Sequence, residues 1–153
     1  MRRLFQFILS FLLVGVSFPA VAANGKVVKV LPHFLDLKGR HSLSPSLYDR
    51  DAYQARLRQN PDQCSGIRFD VLWRGRSTTK EMATLRIELR GTAKGDLPSK
   101  TSLETQVLIT GTGHWAQLKL EGDDYKKFGE ITAWRATLWS DDQLLGEQKS
   151  FLW

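Results

Sequence analysis

Cysteine is almost missing from this chain: Cys64 is the one thiol among 153 residues. A single thiol cannot close an internal disulfide, so the fold must be held by packing, and Cys64 is buried, free or paired with another chain. It also lacks the company a nucleophile needs, because none of His33, His41 or His114 stands in a thiol-protease context. Equally missing are G-x-S-x-G, H-E-x-x-H, a phosphate-binding loop and a dinucleotide fingerprint. His33 and His41 flank Asp36 while His114 is remote, a spacing that does not mark a zinc site, and Asp123-Asp124 and Asp141-Asp142, which sit in turns, each supply too few oxygens for calcium. These absences exclude the familiar catalytic classes and point to a protein that is not an enzyme, with no cofactor and no metal.

A long apolar run is lacking everywhere except at the start. Arg2 and Arg3 precede an apolar stretch from Leu4 to Phe18, followed by Pro19 and the small-residue exit Ala20-Val21-Ala22-Ala23. That order of charge, apolar segment and A-x-A exit is an export signal, and the stretch is too short for a span of roughly 20 apolar residues. The expected boundaries are residues 1–23 for the signal and 24–153 for one mature domain, bacterial, periplasmic or secreted, with no stable membrane span after cleavage. A strong charge of one sign is absent too. Of 22 basic and 16 acidic residues, Arg2 and Arg3 belong to the signal, so the mature excess falls from +6 to +4. The basic residues alternate with apolar or acidic neighbours rather than cluster, which reads as solvated strand faces and excludes nucleic acid as a partner.

What is present is a period of two. Ile67 to Trp73 and Leu85 to Arg90 alternate apolar with charged residues, as half-buried strands do. Leu103–Thr110, Ala116–Glu121, Ile131–Trp139 and Leu144–Trp153 continue the pattern, and Lys26–Leu37 adds a strand at the front, making seven. Gly91 to Ser99 is expected as a loop, Gly111-Thr112-Gly113 as a tight turn and Ser140 to Gln143 as a hairpin connection. One helix interrupts: Ser44-Pro45-Ser46 supplies a hydroxyl cap, Asp49 and Asp51 lie early, Arg56 and Arg58 late, and Asn60-Pro61 stops it. Tyr53 and Leu57 share one of its faces.

The fold class expected is all-β: a two-sheet antiparallel sandwich of about seven strands, with one short helix between the first and second. From Ile67 to Trp153 the chain resembles the immunoglobulin-like and fibronectin type III-like domains of exported bacterial proteins. The resemblance is carried by Trp73 at the end of a central strand, Leu118 and Leu120 before Tyr125, the run Trp134-Arg135-Ala136-Thr137-Leu138, and Leu144 to Leu152. It implies that Trp73 packs across the sheets and that the last two strands form a hairpin. The chain departs from the pattern in lacking paired cysteines and in carrying the helix near Tyr53. Such sandwiches serve as adhesins, spacers, chaperones and carbohydrate binders.

Aromatic residues crowd the last third of the chain. If Trp134 points inward, parity puts Trp139 on the outer face, and Phe151 and Trp153 share a face of the last strand. An outward Trp near Arg135 makes an apolar platform beside a cation, so Trp139, Arg135, Phe151 and Trp153 are the candidate binding residues for a protein or saccharide partner. The leading expectation is thus a noncatalytic binding or structural module. Two alternatives stand beside it: a small periplasmic hydrolase or hydrolase inhibitor, which needs Asp36, His41 or His114 to converge in one cleft, and an envelope assembly subunit.

Overall fold

The computed structural model describes residues 23–78 and 80–153; the expected export signal lies outside them apart from Ala23. Along the chain run β1 (Asn24–Asp36), α1 (Leu47–Gln59), a single 3₁₀ turn (Pro61–Gln63), β2 (Cys64–Arg76), β3 (Glu81–Ala93), β4 (Leu97–Ile109), β5 (Gly113–Glu121), α2 (Gly122–Phe128), β6 (Glu130–Ser140) and β7 (Gln143–Lys149). The strands form two antiparallel sheets, one ordered β1-β2-β5 and the other β4-β3-β6-β7. Among the described residues no helix is long and apolar enough to cross a membrane.

Alternation sends one set of side chains from each sheet to a shared interior. Phe69, Val71 and Trp73 of β2 meet Leu85, Ile87 and Leu89 of β3, Leu118 and Leu120 of β5, and Ala136 and Leu138 of β6. Phe69, Leu85, Ile87 and Leu138 are wholly buried, each such side chain contributing about 2 kcal/mol. Trp73 is nearly as enclosed and Trp134 packs against the same core from β6.

The sheets also meet along one side, where β1 runs beside β7. A Cβ on Gly146 would stand 2.9 Å from the Lys26 Cα, and one on Gly25 would stand 2.9 Å from the Leu145 Cβ. Only glycine allows the two backbones to approach this closely.

Three expectations need correction. The stretch Gly91 to Ser99 is not a loop: Thr92 pairs with Pro98 and Ala93 with Leu97, leaving a turn of Lys94, Gly95 and Asp96. Pro98 is tolerated because β4 is an edge strand with no ladder bond to lose on its open side. The pair Asp123-Asp124 opens a second helix rather than a turn, with Lys126 and Lys127 in its last turn and Gly129 at φ 83° ending it. Finally, the last strand stops at Lys149. The Ser150 N–H donates to the Trp134 carbonyl at 2.9 Å, the Ser150 hydroxyl accepts from the Trp134 N–H at 3.0 Å, and the Trp153 N–H turns back to the Ser150 carbonyl at 3.2 Å. These bonds replace the ladder with a turn, so Phe151 and Trp153 do not share a strand face.

Helix α1 lies where the sequence places it, capped by the Ser46 hydroxyl, which accepts from the Asp49 N–H. Tyr53 and Leu57 are its buried residues. Gln54 fastens it to the edge of β1: its Oε1 accepts from the Phe34 N–H at 2.8 Å, while its Nε2 donates to the carbonyls of Phe34 at 2.9 Å and His41 at 2.8 Å. The amide thereby pairs with β1 as a neighbouring strand would. Between α1, the 3₁₀ turn, α2 and the start of β6 a cavity of about 750 Å³ opens at this end of the sandwich.

Candidate functional site

The outer face of the four-stranded sheet gathers the residues singled out from the sequence. Its cross-strand rows follow from register. Glu88 of β3 stands opposite Arg135 of β6, Arg86 opposite Glu104 of β4 and Thr137 of β6, and Thr84 opposite Trp139. Opposite charges in neighbouring positions pair: Arg135 Nη2 is 2.7 Å from Glu88 Oε2, and Arg86 Nε is 2.6 Å from Glu104 Oε1. Beyond the charged rows the face turns apolar, with Met82 opposite Leu108 and Trp139 opposite Leu144. Met82, Leu108 and Leu144 remain exposed, whereas Trp139 is half-buried on the outer face, as parity requires.

The cation beside an aromatic ring is present, formed with a different tryptophan. Trp139 lies four residues along β6 from Arg135, about 13 Å away. Trp153 instead folds back so that the guanidinium carbons of Arg90 and Arg135 lie 4.0 Å and 5.0 Å from its ring centroid. Each such contact contributes on the order of 0.5–1 kcal/mol at a partly exposed site. Pinning Trp153 and Ser150 leaves the two residues between them projecting: Leu152 is largely exposed and Phe151 wholly so. Of the four candidates, then, Arg135 and Trp153 touch, Phe151 is displayed by them, and Trp139 belongs to the apolar far end of the same face.

No protein-family model and no curated protein matches this sequence.

Asp36 and His114, two of the residues named for the hydrolase alternative, stand at opposite ends of the three-stranded sheet. Asp36 pairs with Cys64 at one end of the sheet and Trp73 with His114 at the other, nine residues of β2 apart, or about 30 Å. His114 Nε2 lies 2.5 Å from the Thr110 hydroxyl and 2.8 Å from that of Thr112, with its ring 5.8 Å from that of Trp73. Asp36 is committed elsewhere. Its Oδ1 accepts from the N–H groups of Lys38 and Arg40, both at 2.8 Å, and its Oδ2 from Arg40 Nε at 2.9 Å and the Tyr53 hydroxyl at 2.6 Å. Burial raises the Asp36 pKa, yet these bonds outweigh it and hold the carboxyl far below the usual range. This carboxylate closes the loop that leads to α1.

Two features were hidden from sequence reasoning. His33 and His41 come together with rings 5.2 Å apart on the outer face of the three-stranded sheet, beside an Arg68–Asp70 pair at 2.8 Å. Burial lowers the pKa of both histidines; Asp70, 3.5 Å from His33 Nε2, opposes this, and the nearby Arg68 and Arg50 reinforce it. The other feature is the end cavity. Cys64 is free and buried in its lining, with Sγ donating to the Leu57 carbonyl at 3.3 Å. Burial pushes its pKa up, and burial with the neighbouring thiol pushes Tyr125 up to about 12, so both stay protonated and the thiol is a poor nucleophile. The signal for the cavity was the stripe of Tyr53 and Leu57 together with the unread helix Gly122–Phe128.

Proposed function

We propose that this chain is a noncatalytic, exported sandwich module of the immunoglobulin-like and fibronectin type III-like kind that holds a protein partner on the outer face of its four-stranded sheet. The observation that carries the reading is the terminal turn: Ser150 and Trp153 are tied down so that Phe151 and Leu152 project. An exposed apolar pair on a preorganised turn costs little ordering entropy when a partner covers it. Beyond the ion pairs Arg86–Glu104 and Arg135–Glu88, which cross the middle of the same face, exposed Met82, Leu108 and Leu144 form a second apolar patch at its far end. A protein is favoured over a saccharide because the Trp153 ring is already engaged by two guanidiniums. The final β6–β7 hairpin and the inter-sheet position of Trp73 support the kinship to those sandwich domains.

A photo-crosslinking residue placed at position 151 in the exported protein should capture one defined envelope or secreted protein, and the double variant Phe151→Ala, Leu152→Ala should lose that partner by about 100-fold in affinity. The same residue at position 142, in the turn at the opposite end, should capture nothing. Equal capture from both positions, or a Trp153-dependent affinity for an oligosaccharide in place of a protein, overturns the reading.

A further inference from the structure

A cavity lies at the end of the sandwich, apart from the sheet face. Its volume, about 750 Å³, is of the size that small-molecule sites occupy. Phe34 of β1, Leu57 of α1, Tyr125 of α2 and Ile131 of β6 give it apolar walls, with Cys64 of β2 in its lining. Five elements, three strands from the two sheets and both helices, thus converge on one hollow, which the strand alternation alone does not require.

The mouth carries charge in an unusual state. Arg58, in the last turn of α1, holds its guanidinium 5.9 Å from the centroid of the Phe34 ring, directly above an apolar wall. Lys126 of α2 lines the same cavity. Neither forms an ion pair among the described residues, although Asp62 and Glu130 also reach the lining. The lining thus holds two cations and two carboxylates, and of these Arg58 is the one set over an aromatic wall. An apolar chamber with an uncommitted guanidinium standing on its wall is complementary to a molecule that has an apolar body and one acidic group.

We propose that this end cavity binds a small amphiphilic anion, its aliphatic or aromatic body held among Phe34, Leu57, Tyr125 and Ile131 and its acidic head group on Arg58. The guanidinium offers paired N–H donors to a carboxylate or sulfonate, and the aromatic ring beneath holds it in place. Burial of the body supplies affinity, and the charge sets which head group is accepted.

Three probes of one body and different heads test this: octanoate, octylammonium and octanol. Octanoate should bind the full-length mature protein, shift the amide resonances of Leu57, Tyr125 and Ile131, and slow alkylation of Cys64. Octanol should bind about tenfold more weakly and octylammonium more weakly still. Arg58 is exposed at the helix end, so Arg58→Glu keeps the fold, and it should reverse the order so that octylammonium binds better than octanoate. Ile131→Trp, which fills the chamber, should abolish all three. Equal binding of the three heads, an unchanged order in Arg58→Glu, or resonance shifts confined to the outer sheet face overturns the proposal; shifts on that face leave the cavity empty and speak only to the protein-binding surface.

Discussion

The two ends of this sandwich are made from the same strands and differ in nearly everything else. At the end where β2 begins, three inserted pieces, α1, the 3₁₀ turn and α2, stand over the sheets, and a chamber lies beneath them. At the end where β2 finishes, Thr110 to Thr112 and Asp141-Asp142 turn the chain tightly. Gly111 donates to the Gly75 carbonyl at 2.8 Å, His114 ties Thr110 and Thr112 together, and Ile109 is buried. Strand alternation dictates a filled interior along the walls, but it says nothing about the rims. Where the connections are shorter than a helix they seal the core; where a helix is inserted they roof it at a distance.

The sharpest way to break this contrast is from the roof. Leu57 is all but fully buried between α1 and the chamber, and Leu57→Ala should lower unfolding free energy by about 3 kcal/mol while enlarging the hollow, read by urea denaturation. A smaller and local effect should follow acid. The histidine pair has pKa values below the ordinary imidazole value of about 6.5, so the unfolded chain takes up protons that His33 and His41, facing Arg68 and Arg50, resist. Stability from this pair is therefore complete above that value and declines as pH falls below it. Amide exchange of His41 and Gln54 should accelerate between pH 7 and pH 5 while that of Gly111 does not. The double variant His33→Gln, His41→Gln should remove the pH dependence, and a dependence that survives it assigns the effect elsewhere. The smallest change belongs to the sealed end, where His114→Ala, removing an exposed side chain that meets two threonine hydroxyls and the Trp73 ring, should cost about 0.5 kcal/mol.

Legibility in the sequence followed the same division. Ile67 to Trp73 and Leu85 to Arg90 announced their strands because one face meets the core and the other meets water, and the inward set Phe69, Trp73, Ile87 and Leu118 is buried as that pattern requires. The strands are longer than the alternation suggested, since glycines such as Gly66 and Gly75 carry no hydropathy signal yet remain in register. Helix α2 escaped notice because only Phe128 of its seven residues is buried, too little for a stripe, although its acid-first, base-last order and terminal Gly129 were readable. Of the site residues, parity placed Trp139 correctly. The partnership of Trp153 with Arg90 and Arg135 was not legible, because it depends on Ser150 turning the chain off the sheet. His33 and His41 are brought together by a loop whose course Asp36 fixes through bonds to groups on both sides of it.

The seam of Gly25 and Gly146 bears on which strand edges another chain can reach. With β1 and β7 pressed backbone to backbone, neither offers an unobstructed row of donors and acceptors to a stray strand from another chain, and among the described residues the edges left without a strand partner are β4 and β5 on the opposite flank. That flank carries its own guards in Pro98, Lys100 and Lys119. A side chain larger than hydrogen at either glycine would part the seam and convert a sealed border into a sticky one, so clumping at high concentration is the failure to look for when position 25 or 146 is altered.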